Sequence, residues 1–171
     1  MKNKVINLCL ITLGLFIFSL VIAVTQVCIV AAQTDKTETS AVYLSDMMPL
    51  PGSTTYVAGQ DPAGNPLLIN GEEFKKGLCV TANSELNYKI DGKYSTFKTV
   101  AGHSDAYIEY PGKLTFSIYG DGKQIYESKP LTSKEKKAIS VKVDGVRNLS
   151  LRVSSDGPTS QFVIWGDASL N

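Results

Sequence analysis

The feature that most constrains this chain is a period of two in its hydrophobic residues, repeated in short runs and broken by turn signals. Over residues 78–90 the even positions (Leu78, Val80, Ala82, Ser84, Leu86, Tyr88, Ile90) are apolar or small, and the odd positions are largely polar. Successive strand side chains point to opposite faces, so this pattern describes a strand with one buried face. The run is too long for an ordinary strand and predicts a bend near residues 84–87. Leu114, Phe116 and Ile118 alternate in the same way, followed by Asp121-Gly122 and a return strand over 124–128. Asp-Gly supplies the positive φ angles of a tight hairpin. Ile139, Val141 and Val143 form a third run; Asp144-Gly145 turns the chain into Leu149, Leu151 and Val153. Residues 42–44, 67–69, 96–100 and 162–168 are further strand candidates. The mixed-charge run Lys134, Glu135, Lys136, Lys137 reads as a solvated loop. Many short strands at this spacing predict an all-β sandwich or barrel, and about 130 residues suffice for one core.

The N-terminus is of another kind. Residues 5–34 carry no charge, and Lys2 and Lys4 precede them. About 28 of these residues are mostly apolar, where roughly 20 cross a bilayer as a helix. The flanking lysines place the N-terminus in the cytoplasm and the body outside. Two readings stay open: a retained signal anchor, favoured by the length of the apolar run, and a signal peptide cleaved after Ala32. The expected organisation is an N-terminal hydrophobic helix over 1–32, a polar linker over 33–40 and one domain over 41–171.

Charge narrows the partners. The chain has 17 basic and 16 acidic residues. Without Lys2 and Lys4 the balance is 15 against 16, a net of −1, which leaves no basic field for a phosphate backbone. Nucleic acid is not an expected partner. Of three cysteines, Cys9 and Cys28 lie in the apolar segment and Cys79 stands alone in the body, so no disulfide framework is expected and Cys79 reads as packing.

An ordered set of motifs carries a family resemblance. Gly77-Leu78-Cys79-Val80-Thr81-Ala82-Asn83-Ser84-Glu85 resembles the signature of the NPCBM family, which overlaps carbohydrate-binding module family 51. Val42-Tyr43-Leu44-Ser45-Asp46, Asn70-Gly71, Phe74-Lys75-Lys76-Gly77, Phe116-Ser117-Ile118-Tyr119-Gly120-Asp121-Gly122-Lys123 and Trp165-Gly166-Asp167-Ala168 fall in the family's order. The resemblance spans about residues 41–170 and implies a jelly-roll-type β-sandwich at the bacterial cell surface. It also implies non-catalytic binding of galactose-containing or related glycans, with calcium in some members. Two departures bear on the sugar: Thr81 stands where the signature has His, and Gln161-Phe162-Val163-Ile164 replaces polar residues before the last Trp.

The candidate carbohydrate-binding residues are Trp165, Asn83, Glu85, Thr81 and Asp167. Trp165 could stack its ring on the C–H face of a sugar, or fill the core, as tryptophans commonly do. Asn83 and Glu85 share a strand face with Thr81 and could divide sugar hydroxyls between donor and acceptor, or hold a loop together. Asp46, Asp105, Asp121 and Asp167 are the oxygen ligands a family-type calcium could use, although Asp121 and Asp144 before Gly read first as turn residues. His103 reads as an exposed loop histidine. A glycosidase would need a carboxylate pair across a bond; Glu85 with Asp167 is one arithmetic choice among many, and no enzyme is expected. The alternative to glycan binding is a surface protein-interaction domain on the same fold.

Overall fold

A computed structural model of the protein describes residues 40–107 and 112–171. The N-terminal segment, read above as anchor or signal peptide, and nearly all of the linker lie outside the described residues. The strands are β1 (Val42–Tyr43), β2 (Tyr56–Ala58), β3 (Leu67–Ile69), β4 (Glu72–Phe74), β5 (Gly77–Thr81) and β6 (Ser84–Lys89). They continue as β7 (Thr96–His103), β8 (Leu114–Gly120), β9 (Lys123–Glu127), β10 (Lys136–Lys142), β11 (Asn148–Ser155) and β12 (Phe162–Leu170). Single 3-10 turns lie at Leu44–Asp46 and Asp105–Tyr107.

The strands form two main antiparallel sheets. One is six-stranded, in the order β10-β7-β12-β5-β2 with β1 also on β12. The other is four-stranded, in the order β6-β11-β8-β9. From β5 onward the chain switches sheets at nearly every connection, which sews the two layers together. The apolar sets read from the alternation meet between them: Leu86 and Tyr88 of β6, Phe116 and Ile118 of β8 and Leu149 and Leu151 of β11 share one cluster with Leu78, Val80, Phe97, Val163 and Trp165. Full burial of each such side chain contributes about 1.5–3 kcal/mol relative to exposure.

The long run over 78–90 bends earlier than its composition suggests. It splits at Ala82–Asn83 into β5 of one sheet and β6 of the other. Asn83 makes the corner with φ +58°, a conformation Asn tolerates better than most residues. Its Oδ1 accepts the Ser155 N–H at 2.9 Å, which ties the corner to the end of β11. The charged run at 134–137 is only partly a loop: β10 begins at Lys136. Its lysines decorate an edge strand, where charge opposes pairing with another chain.

The outer face of the six-stranded sheet is covered by the hairpin β3–β4. Its turn is Asn70-Gly71, with φ of +48° and +78°. Leu67, Ile69 and Phe74 pack there on Cys79 and Ile164. The floor beneath them is made by glycines. A Cβ on Gly166 would lie 2.5 Å from the Phe74 ring, and one on Gly77 would lie 2.9 Å from the Trp165 carbonyl and 3.1 Å from Leu67. A Cβ on Gly102 would run into Ile69. Asp105 fastens the hairpin tip, accepting the N–H groups of Asn70 and Gly71 at 2.7 Å each. Burial raises the Cys79 thiol pKa to about 12, with the charge of Asp61 adding to the shift, so Cys79 is a packing residue.

Candidate functional site

The four-stranded sheet turns its other face to solvent. On this face the alternation leaves Glu85 and Asn87 on β6, Ser150 and Arg152 on β11, and Ser117 and Tyr119 on β8. Strand register aligns them in two transverse rows. Glu85, Arg152, Ser117 and Glu127 form one; Asn87, Ser150, Tyr119 and Gln124 form the other. Cross-strand neighbours on one face are the pairs that interact most directly in a sheet. Arg152 Nε donates to Glu85 Oε2 at 3.0 Å and Nη2 to Oε1 at 3.1 Å, a two-pronged pair. The guanidinium also lies 4.3 Å from the centre of the Tyr119 ring and joins the two rows diagonally. Tyr119 donates its hydroxyl hydrogen to Gln124 Oε1 at 2.9 Å. Ser117 Oγ donates to Glu127 Oε2 at 3.3 Å, and Ser150 Oγ donates to Asn87 Oδ1.

Glu85, Ser117, Tyr119, Glu127 and Arg152, with Asn83, Ser84 and Ser154, line an open depression of about 420 Å³. The size lies within the roughly 300–1,000 Å³ of small-ligand sites. The edge of β6 is closed by the preceding segment: Thr54 N–H donates to the Glu85 carbonyl at 2.8 Å, and Glu85 N–H donates to Thr54 Oγ1 at 2.9 Å. The backbone under Glu85 is therefore fixed while its carboxylate faces outward. After pairing, that carboxylate keeps free lone pairs and Arg152 keeps free N–H donors. Both can meet a hydroxyl-rich ligand without leaving one another.

The five expected sugar residues do not converge. Asn83 and Glu85 share the depression on the four-stranded sheet. Trp165 does not reach it. It is 0% exposed, on the inner face of β12, with its ring 5.0 Å from that of Phe116 in an edge-to-face contact at 89°. A ring closed in on both sides offers no face to a sugar, and the stacking role expected of Trp165 is withdrawn. Thr81 lies on β5 beside Phe162, in the six-stranded sheet. The corner at Ala82–Asn83 separates it from the face it seemed to share with Asn83 and Glu85.

Asp167 is also on the far sheet, in a bulge of β12 with φ +46°. It lines a different depression of about 410 Å³ with Lys98, Ser140 and Ser169. Burial raises its carboxyl pKa, and the charge of Glu72 adds to this against a hydrogen bond to the Lys76 backbone. Glu85 and Asp167 therefore face away from each other on opposite sheets and are no catalytic pair.

The calcium candidates are likewise dispersed. Asp46 pairs with Lys76 at 2.7 Å, and Asp105 holds the β3–β4 tip. Asp121, in the β8–β9 turn, ties that turn to the start of β11 by accepting the N–H groups of Arg147 and Asn148, which lower its pKa. Asp167 sits in the bulge. Among the described residues no three His, Cys, Asp or Glu side chains gather as a metal site. These four aspartates do not form a common calcium cage.

His103 is not an exposed loop residue. It ends β7 at 1% exposure, and among the described residues its Nε2 has no hydrogen-bond partner. Burial lowers its pKa, against a hydrogen bond to the Leu131 backbone that raises it.

Arg152 and Tyr119 were missed as site residues although their strands were legible. The available signal was the polar half of each alternation: Ser150 and Arg152 between Leu149, Leu151 and Val153, and Ser117 and Tyr119 between Phe116, Ile118 and Gly120.

Fold and face together define an all-β sandwich module with one sheet surface covered in large part by a hairpin and the other open. The chain belongs to the NPCBM/NEW2 domain family, whose sequence model matches residues 40–171. Among solved structures it is similar to the CBM51 of Clostridium perfringens GH95 in complex with methyl-galactose. That match has 26% identity and a TM-score of 0.68, over 77% of this chain and 100% of that one. It is also similar to a structure of the M60 catalytic domain with the CBM51-1 and CBM51-2 domains from Clostridium perfringens ZmpB, at 27% identity and a TM-score of 0.65. There the match covers 76% of this chain and 15% of the other. A curated relative from Renibacterium salmoninarum, named as an endo-alpha-N-acetylgalactosaminidase, is 30% identical over 105 residues. That match covers 61% of this chain and only 7% of the relative's length.

Proposed function

We propose that this protein is a non-catalytic glycan-binding module displayed outside the membrane, and that it takes its ligand on the open face of the four-stranded sheet. The observation that carries the reading is the Glu85–Arg152–Tyr119 arrangement in an open depression. It combines acceptors, donors and an aromatic ring, held by neighbours before any ligand arrives. Preorganisation of this kind lowers the entropy lost on binding. Asn83 contributes its amide NH2, since its oxygen is engaged at the Ser155 corner. The methyl-galactose complex of the similar GH95 module supports a galactose-type sugar. The charge-free stretch over 5–34, flanked by Lys2 and Lys4, supports display through an N-terminal anchor or release after cleavage at Ala32. Affinity per site is expected to be weak, near millimolar to high micromolar or about −4 to −6 kcal/mol. Many tethered copies facing one glycan coat would compensate through multivalency.

The test is a glycan array probed with the full-length chain, beside Glu85→Gln and Arg152→Gln. Binding that both variants lose while keeping the wild-type circular dichroism supports the reading and the face. Binding that neither variant changes moves the site elsewhere on the sandwich. One observation favours a second reading, a surface protein partner: Trp165, the expected stacking platform, is in the core. No glycan binding by a folded wild-type chain would turn the assignment that way.

A further inference from the structure

The two rows of the open face are chemically unlike. The first row, Glu85, Arg152, Ser117 and Glu127, lies wholly in the depression and is charged. The second row, Asn87, Ser150, Tyr119 and Gln124, carries no charge and enters the depression only through Tyr119. Register sets both rows on the same side of one sheet. Asn87, Ser150 and Tyr119 each lie two positions along their strand from Glu85, Arg152 and Ser117, and Gln124 follows in β9 after one irregularity. Two positions are about 7 Å, and four strands are about 14 Å across. The rows are therefore one surface, with room for a second sugar beside the first.

The second row is as firmly built as the first. Leu50 N–H donates to the Asn87 carbonyl at 2.6 Å, and Asn87 N–H donates to Ser53 Oγ at 3.0 Å. The segment that pins the backbone at Glu85 thus pins it here too. Within the row, Ser150 Oγ donates to Asn87 Oδ1 and the Tyr119 hydroxyl to Gln124 Oε1. Both amides are oriented by these bonds, and what they leave over is ordered. Two NH2 groups stand on the outer strands β6 and β9, and the lone pairs of the Ser150 and Tyr119 oxygens lie on the two strands between. Gln124 is exposed and the other three are half-buried. A sugar hydroxyl both donates and accepts, and this row offers partners for both. An ionised substituent finds no counter-charge in it. One step further along the strands the polar groups are already engaged: Asn148 Nδ2 donates to Asp121 Oδ1 at 3.4 Å, and Lys89 pairs with Asp91 at 3.5 Å.

We propose that the second row is a second sugar subsite, and that the ligand is a neutral oligosaccharide whose chain runs along the strands. One sugar lies on Glu85 and Arg152, the next on Asn87 and Gln124, and Tyr119 stands between them. This rests on the glycan-binding reading above and adds the ligand's length, its direction and the absence of charge on its second sugar.

The experiment titrates the full-length chain with methyl-galactose, with a panel of neutral galactose disaccharides that differ in linkage, and with disaccharides of one galactose and one uronate. Wild type is compared with the double variant Asn87→Ala/Gln124→Ala. Asn87→Asp and Gln124→Glu serve as further variants, since each keeps the oxygen its neighbour bonds and loses only the NH2 donors. Two or so added neutral hydrogen bonds should make at least one neutral disaccharide bind about tenfold tighter than methyl-galactose. The double variant should bring that disaccharide down to the level of methyl-galactose, whose own affinity comes from the first row and stays as it was. The two single variants should each lose part of the advantage. Equal affinity for methyl-galactose and every disaccharide, a uronate disaccharide that binds tighter than all neutral ones, or a double variant that weakens methyl-galactose as much as the disaccharide overturns the inference and leaves glycan binding standing. No binding of any probe by the folded wild type overturns both.

Discussion

The two outer faces of this sandwich come from the same alternation and meet opposite fates. On the six-stranded sheet the outward positions are Cys79, Ile164, Val100 and the glycines Gly77, Gly102 and Gly166, and the β3–β4 hairpin lies across them. On the four-stranded sheet the outward positions are Glu85, Asn87, Ser117, Tyr119, Ser150 and Arg152, and nothing among the described residues lies across them. An apolar face must be covered, and removing Cβ atoms lets a cover approach to backbone contact. A polar face can stay open if its groups satisfy one another, as Glu85 and Arg152 do. One face therefore serves stability and the other is free for recognition.

The largest effect that sharpens this comparison lies between the sheets. Trp165→Ala removes the ring from Phe116 and is expected to cost about 3–5 kcal/mol, read as a lower urea midpoint. A Trp165→Phe variant that keeps its fold should bind glycan like wild type; selective loss of binding there would return Trp165 to the site. Next comes the sealed face. Gly166→Ala drives a Cβ into the Phe74 ring, and such overpacking costs about 1–3 kcal/mol. The check is the denaturation midpoint together with hydrogen exchange in β3 and β4, both of which should report a loosened hairpin. Asp105→Ala frees the hairpin tip from two charge-assisted bonds, worth about 1.5–3 kcal/mol each in a protected site and less when exposed. It should raise exchange at Asn70 and Gly71 without touching the open face. A change in glycan binding from this variant would mean that the two faces are coupled.

A smaller effect is in pH. The pKa of His103 in the fold is lowered below its ordinary 6.5 by burial. The unfolded chain then binds a proton that the native state excludes, so stability is complete above about pH 6.5 and declines as pH falls below it. Urea midpoints at pH 7.5 and 5.5 should differ in wild type and agree more closely in His103→Gln. The smallest stability effect is expected on the open face. The Glu85–Arg152 pair is partly exposed, with side chains at 38% and 46%, and such pairs contribute about 0–1 kcal/mol. Arg152→Gln should barely move the urea midpoint while it lowers glycan binding; a large loss of stability would class the pair as structural.

Much of this architecture was legible because a buried strand face writes itself into every second residue. Residues 67–69 are β3 as read, and β8, β9 and β11 lie within a few residues of their expected spans. The short strands β2 and β4 left too few positions for a period to show. Asn70-Gly71 carried a hairpin signal as clear as Asp121-Gly122 but was read only as part of the family pattern. Of the candidate site, half was legible. Asn83 and Glu85 do lie together on the open face, whereas Thr81 shares their parity and not their sheet, because the corner at Ala82–Asn83 falls between them.

The sequence by itself determined which side of each strand is apolar, where the tight turns fall, and that the ordered motifs are those of the NPCBM family. Those are local properties, set by backbone sterics and by the separation of apolar from polar groups along a few residues. Only the tertiary structure decided which of two apolar surroundings each residue entered: Trp165 between the sheets, His103 buried rather than exposed, and the glycines under a hairpin. It also decided which polar residues became neighbours, since Arg152 reaches Glu85 and Tyr119 through register between strands far apart in the chain. Alternation states only that a side chain faces in or out; what it meets there depends on how the sheets are ordered and stacked.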